Sequence, residues 1–427
     1  MKSITAALIA GVLGCAFVHP VLAAGAGTGK ETVLHSFGLG TDGSYPAAGL
    51  VDVKGTLYGT TQRGGAGSYD DYGTAFAIDP DTGAETVLHS FCSQQDCADG
   101  AFPDAALTAV KGVLYGTTQS GGADPKGVAL GAGTLFSLDP GTGVETVLYS
   151  FSCAKRKCRG DEPESPLLYV RGKLYGTTSF GGAGNDRSGT VFEFDLKSGK
   201  ERLLYSFCSQ QDCADGEEDD EGAPAGLIEI NGILYGTTAY GGSGGGLSAC
   251  QENDYGCGVV FSLDPSTRTE KVLYSFCSQQ GCTDGERPVA GLTAVNGMLY
   301  GTTSFGGGRG RGTVFALDPN TGAMTVLYSF GCVRRKCKDG ATPGGPLLDA
   351  NGKLYGTADG GADGFGMVFT LDPATGTERR LYSFGGGKDG DGPVGGLIDV
   401  KGFLYGTTSS GGTNCKYGCG TVFALKR

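Results

Sequence analysis

The chain has 427 residues, with 81 Gly, 15 Cys, 3 His and no Trp, and its 33 basic against 45 acidic side chains give a formal net charge of −12. That balance argues against nucleic acid as a partner, the glycines keep no three-residue period and so exclude collagen, and past the N-terminus no apolar run is long enough to make a polytopic membrane protein. Leu, Val, Tyr and Phe recur in tight clusters, which excludes disorder and leaves turn-rich all-β structure.

Taken in chain order, Lys2 precedes an apolar run from Ile4 to Leu13, Pro20 breaks it, and Val21-Leu22-Ala23 supplies small residues for cleavage, so 1–23 read as a secretory signal. A second reading cuts within the lipobox-like Val12-Leu13-Gly14-Cys15 and ends the signal at 14. The mature protein is then secreted or periplasmic in the first case and lipid-anchored through Cys15 in the second, the lipid being its one tie to a membrane. Residues 24–30 are a linker whose phosphate-loop flavour fails, because it opens a strand and lacks the terminal Ser/Thr.

From Glu31 onward the chain repeats. Leu-Tyr-Gly-Thr-Thr or a near copy begins at Leu57, Leu114, Leu174, Leu234, Leu299, Leu354 and Leu404. Around each copy a Lys-Gly, Arg-Gly or Asn-Gly turn, a Gly-Gly pair, a Val-Phe-x-Leu-Asp-Pro-x-Thr-Gly phrase and a Val-Leu-Tyr-Ser-Phe phrase return in order. In the second copy Leu107 to Val110, Val113 to Thr118, Thr134 to Asp139 and Glu145 to Phe151 read as four strands. Lys111-Gly112 and Asp139-Pro140-Gly141-Thr142-Gly143 are their turns. The chain opens on a fourth-strand phrase, Glu31 to Phe37, and closes on a third-strand phrase, Gly420 to Leu425. The surplus strand supplies the missing one, so residues 31–427 are predicted to form a seven-bladed β-propeller of four-stranded blades, closed by the N-terminal strand. A linear β array gains nothing from such a split blade.

These phrases resemble the bacterial tandem repeat called Gloeo-Verruco, or GloVer, found in exported proteins described as choice-of-anchor. The resemblance runs from Glu31 to Leu425 and implies an extracytoplasmic repeat protein without implying an enzyme. Many members carry a C-terminal sorting anchor; this chain ends at Lys426-Arg427, which leaves Cys15 as the expected point of any attachment.

Apart from Cys15, the cysteines form seven close pairs: Cys92/Cys97, Cys153/Cys158, Cys208/Cys213, Cys250/Cys257, Cys277/Cys282, Cys332/Cys337 and Cys415/Cys419. An even number, local pairing and an exported context predict seven disulfides rather than metal sites. Each closes a loop of about six residues and contributes on the order of 2 kcal/mol, stiffening loops more than holding the fold.

In such a blade the first-to-second and third-to-fourth turns share one face. Here that face has only tight turns, while the other carries all the cysteine pairs, the Gly-Gly loops and every large insertion, and is the expected working surface. Phe180, Tyr240 and Phe305 precede Gly-Gly in successive repeats and form either an arc of rings for sugar stacking or packing beneath their own loops. Tyr72, Tyr255 and Tyr417, ahead of third strands, extend either reading. Lys155-Arg156-Lys157 and Arg334-Arg335-Lys336 are basic loops, and Glu217, Glu218, Asp219, Asp220 and Glu221 form an acidic insert, read either as a solvated loop or as a cation site, Ca²⁺ before Mg²⁺. Asp52, Glu229, Asp349 and Asp399 share a register on the channel-lining first strands, and the recurrent Asp-Gly pairs are read as turn formers.

Enzyme readings find few parts. His35 and His89 stand at the Tyr place of the fourth-strand phrase, which makes them structural, and no Ser/His/Asp or Cys/His set remains. The Asp-Pro-x-Thr-Gly phrase is similar to quinone-dependent dehydrogenase repeats, but those dock their blades with Trp. The expectation is therefore an exported, monomeric, non-catalytic propeller without a cofactor, binding a polysaccharide or a surface protein through its disulfide-rich loop face. The alternatives are a carbohydrate-active enzyme, lyase or hydrolase, using carboxylates at the channel mouth, and a structural envelope component.

Overall fold

The computed structural model describes residues 31–427 apart from 39–40, 67–71, 124–130, 155–156, 159, 183–187, 217–225, 244–255, 333–336, 394 and 416–417. Blade 1 comprises Val51–Val53, Thr56–Thr61, Thr74–Ile78 and Glu85–Ser90, and blade 2 comprises Thr108–Val110, Val113–Thr118, Thr134–Leu138 and Glu145–Ser150. Blades 3, 4, 5 and 6 repeat this antiparallel order from Leu168, Ile228, Thr293 and Leu348. Blade 7 takes Ile398–Val400, Phe403–Ser410 and Thr421–Lys426 from the end of the chain and Glu31–Ser36 from its beginning.

The closure is a paired sheet edge. Glu31 lies opposite Leu425 and Ser36 opposite Thr421, and the Phe37 N–H donates to the Gly420 carbonyl at 3.0 Å. Across the adjoining seam the Thr407 hydroxyl donates to the Ala48 carbonyl at 2.8 Å. Blade 1 repeats that bond internally to the ring, from Thr60 to the Ala105 carbonyl of the connection into blade 2 at 3.1 Å.

The blades are held together by phenylalanine. Phe76, Phe136, Phe192, Phe261, Phe315, Phe369 and Phe423 on the third strands each meet the Phe that follows the fourth strand of the preceding blade, with centroids 5.0–5.2 Å apart and rings crossed at 60–69°. Such edge-to-face pairs add roughly 0.5–1.5 kcal/mol each to what burial supplies. They take the place of Trp docking in a chain that has none.

The Gly of each Leu-Tyr-Gly-Thr-Thr phrase leaves room for that ring. A Cβ at Gly236 would sit 2.7 Å from Phe261 Cζ and 2.9 Å from Leu227 Cδ2. Gly236→Ala is therefore expected to lower stability by about 1–3 kcal/mol, read as a lower denaturation midpoint in urea with an unchanged slope.

The Asp-Gly pairs do more than turn the chain. Asp99, Asp215 and Asp284 are fully buried. Asp99 accepts from the Ser93 N–H at 3.0 Å, the Ser93 hydroxyl at 2.7 Å and the Gln94 N–H at 3.2 Å, and His89 Nε2 lies 3.2 Å away. Where the fourth strand carries Tyr, its hydroxyl donates to the same carboxylate, Tyr205 to Asp215 at 2.7 Å and Tyr274 to Asp284 at 2.8 Å. Each Asp thus pins a cysteine loop to the outer strand.

Candidate functional site

The cysteine loops lie on the face where second strands end and blades connect. Disulfides join Cys92 to Cys97, Cys208 to Cys213, Cys277 to Cys282, Cys332 to Cys337 and Cys415 to Cys419. Cys153 stands opposite Cys158 in a two-residue ladder. Cys257 is also disulfide-bonded, while Cys250, its expected partner, lies outside the described residues. The sulfurs of Cys257, Cys277 and Cys282 lie within 4.8 Å of one another, and since all three are oxidised they are adjacent cystines rather than a metal centre.

Five of the blade connections among the described residues cross this face through a step from a non-Gly residue to Pro. Tyr45, Phe102, Glu162, Arg287 and Thr342 precede Pro46, Pro103, Pro163, Pro288 and Pro343, and all five hold φ between 47° and 57°. Left-handed backbone is uncommon outside Gly. Here it is imposed by antiparallel bridges, Ser44 to Arg63, Ala101 to Ser120, Asp161 to Phe180, Glu286 to Phe305 and Ala341 to Asp359. The result is two adjoining rows of side chains, one ahead of Pro and one ahead of Gly-Gly.

Their chemistry differs by sector. In blades 1 to 3, Gln62 Nε2 donates to Asp104 Oδ2 at 3.3 Å, Gln119 Nε2 to Glu164 Oε1 at 2.6 Å and Glu162 Oε2 at 3.2 Å, and the Ser179 hydroxyl to Glu164 Oε2 at 2.9 Å. Asp104 Oδ1 is buried with no hydrogen-bond partner. Burial pushes Asp104 up to about 6 against the pull of Gln62 and Arg63. Burial, with Asp104 and Glu162 nearby, pushes Glu164 up to about 7. Both carboxyls therefore exchange protons near neutrality, where an acid or base is useful.

In blades 4 and 5 the sector is cationic and aromatic. The Arg287 guanidinium lies 4.5 Å from the Tyr240 ring centre and 5.6 Å from that of Phe305. At the seam of blades 7 and 1, Arg63 lies 5.5 Å from the Tyr45 ring centre. Tyr45 and Phe305 are among the few large hydrophobic side chains left exposed among the described residues, at 37% and 36%.

A family model, the Gloeobacter/Verrucomicrobia repeat, matches residues 24–249 and 246–427. The chain belongs to the Gloeobacter/Verrucomicrobia repeat family. No curated protein matches it. Among solved structures, the nidogen/laminin complex is similar at TM-score 0.42 and 12% identity over 77% of this chain and 94% of that one. TolB from Acinetobacter baumannii is similar at TM-score 0.40 and 13% identity over 87% and 80%. Neither likeness is close enough to carry a conclusion about this chain.

In this Gloeobacter/Verrucomicrobia repeat propeller the aromatic candidates separate. Tyr240 is buried, at 8% exposure, beneath Arg287, while Phe305 presents its ring. Phe180 is partly buried at its bridge with Asp161, and Tyr72 packs 5.3 Å from Phe102. Tyr255, Tyr417, the Glu217 to Glu221 insert and the basic residues 155–156 and 334–336 lie outside the described residues. On the opposite face Asp52 and Asp399 accept from the Gly55 and Gly402 N–H groups of their own turns at 2.9 Å, Glu229 does the same with Gly232, and Asp399 also pairs with Arg427 at 2.7 Å. Sequence reasoning missed Arg63, Arg287, Asp104, Glu162 and Glu164. All five stand at recurring places beside Pro or Gly-Gly that carry different residues in the other repeats, so superposing the repeats brings them out.

Proposed function

We propose that this protein is an exported, non-catalytic binding propeller whose loop face takes an extracellular ligand, a polysaccharide ahead of a surface protein. The observation that supports this most is the exposed aromatic and arginine pairing at Arg287 and Phe305, set on strands and bridges rather than on a free loop. Rings offer a face to a sugar, and the carboxyl and carboxamide groups of blades 1 to 3 on the same face offer fixed hydrogen bonds. Affinity electrophoresis of the purified protein against a polysaccharide panel is expected to show retention without product. Phe305→Ala and Arg287→Ala are expected to weaken retention at least tenfold with the folded state intact by circular dichroism. No retention on any member would set the polysaccharide aside in favour of a protein ligand or an envelope component.

The Asp104 and Glu164 carboxyls favour a second reading, a carbohydrate-active enzyme with its acid and base at the channel mouth. New reducing ends or unsaturated products, lost in both Asp104→Asn and Glu164→Gln, would establish it. The acidic insert at 217–221 adds Ca²⁺ as a candidate ligand; a thermal midpoint that Ca²⁺ and EDTA leave unchanged would remove it.

A further inference from the structure

The tight-turn face, which the reading above does not use, holds a recess of its own. At the seam of blades 3 and 4 a cleft of about 200 Å³ opens between Arg171, Lys173 and Tyr175 on one wall and Glu229, Leu234 and Pro265 on the other. Behind its Lys173 and Tyr175 wall the chain departs from the repeat. The third-strand place of Glu193 is Ala77, Ser137, Ser262, Ala316, Thr370 or Ala424 in the other blades, yet Glu193 is only 5% exposed.

Three groups converge on that buried carboxylate. Lys173 Nζ donates to it at 2.8 Å and Arg202 at 3.1 Å, and the Tyr175 hydroxyl bonds to it as well. Arg202 then crosses the seam to donate to the Pro265 carbonyl at 3.1 Å. Exchanging a small neutral residue for a buried, ion-paired carboxylate adds little stability, because desolvation offsets the attraction. What it does is fix two cations and a phenol beside the cleft. Among the residues that line the cleft the charges are Arg171 and Lys173 against Glu229, with Glu193, Arg202 and Asp195 standing behind that wall.

We propose that this cleft binds a single carboxylate-bearing unit, either a free small organic acid or a uronic acid residue of a glycan, with the carboxylate on Arg171 and Lys173. Lys173, held by Glu193, and Arg171 on the same wall can each donate charge-assisted hydrogen bonds to a carboxylate, and Leu234 and Pro265 supply an apolar wall for the rest of the unit. The volume lies below the 300–1,000 Å³ usual for drug-sized ligands, which limits the occupant to one such unit.

Calorimetric and saturation-transfer titrations of the full chain with glucuronate, glutarate and glucose test this. Saturable binding of glucuronate without glucose is expected. Arg171→Asn, at an exposed turn position whose left-handed φ of 49° Asn tolerates, is expected to weaken it at least tenfold. Glu193→Ala, which installs the residue of blades 1, 5 and 7, is expected to weaken it severalfold and to leave the circular dichroism spectrum unchanged. Glutarate binding alongside glucuronate assigns the cleft to free acids, and glucuronate alone assigns it to uronates. Equal binding of glucose, no binding of either acid, or affinity unmoved by Arg171→Asn overturns the proposal. Because Arg171 and Phe305 lie on opposite faces, loss at one with retention at the other separates this site from the loop-face reading.

Discussion

A chain shortened to begin at Gly38 is expected to lose the closed ring and to elute as aggregate, while one beginning at Ala24 stays monodisperse. Glu31–Ser36 is the whole outer strand of blade 7, and without it Thr421–Lys426 becomes an open edge with unpaired N–H and carbonyl groups, a template for association. Phe37, fully buried against Phe76 with centroids 5.0 Å apart, would go with it. A buried Phe reduced to Ala alone costs about 3–5 kcal/mol, and a folded domain has about 5–15 kcal/mol in total, so strand and ring together exceed what the fold can lose. Size-exclusion chromatography and circular dichroism check the result, and a synthetic peptide of residues 31–37 is expected to restore the monomer when added in excess. Phe37→Ala and Phe91→Ala remove the same contact at the closing seam and at an ordinary one; equal losses of stability show that the closing seam is as tight as the rest. A truncated chain with an unchanged thermal midpoint would show that the ring does not depend on its shared blade.

The architecture was legible because every repeat states the same local rules. In blade 2 the second strand runs Val113–Thr118 as predicted, and the fourth stops at Ser150 instead of Phe151; Phe151 still donates its N–H to the Gly133 carbonyl at 2.9 Å while its ring meets Phe192. The site was harder to read, since its contacts join residues far apart in the chain. Whether Tyr240 stacks on a ligand or packs could not be decided from its own repeat, because Arg287, which covers it, lies in the next blade connection. Asp-Gly looked like a turn because the Tyr that needs the Asp sits on the preceding strand. Blade 2 shows the dependence by exception: Arg159 stands where the Asp recurs, and Tyr149 donates instead to Glu201 Oε2 of blade 3 at 3.2 Å. Left-handed residues ahead of Pro give no sequence signal, because the bridges that hold them are tertiary.

The ring is expected to be most stable near pH 5 and to weaken as the pH rises towards 8. At the start of the fourth strands, burial followed by Asp389 pushes Glu31 up to about 8, burial followed by Asp42 pushes Glu85 up to about 7, and burial followed by Asp215 pushes Glu270 up to about 7. Burial, eased by His89 and reinforced by Asp99, puts Glu145 at about 7, and burial with Asp339 puts Glu378 there too. Each glutamate faces the aspartate that pins the preceding blade's loop, so two carboxyls meet across every such seam. Their pKa values in the fold exceed the ordinary glutamate value, so the folded chain holds protons that the unfolded chain has released. That contribution is complete below about pH 4.5 and is lost as the pH climbs through 7 to 8. Two groups set the acid limit. Burial lowers His35 despite Asp42, which favours the unfolded chain below about pH 6.5. Asp99, raised by burial but pulled down further by His89, Ser93 and Gln94, withdraws its stabilisation only below the ordinary carboxylate range. Partial exposure reduces each glutamate's effect to about 1 kcal/mol, and the sum is a fall in thermal midpoint of about 5 °C or more between pH 5.5 and 8.5. Net charge also grows more negative over that range, and salt separates the two causes: 0.5 M NaCl screens surface repulsion but leaves buried pairs nearly untouched. In high salt the triple variant Glu85→Gln, Glu145→Gln, Glu270→Gln is expected to flatten the profile, since Gln keeps the shape and cannot ionise. A wild-type midpoint that stays level with pH, or a triple variant with an unaltered slope, would show that these seams hold no protons at neutrality.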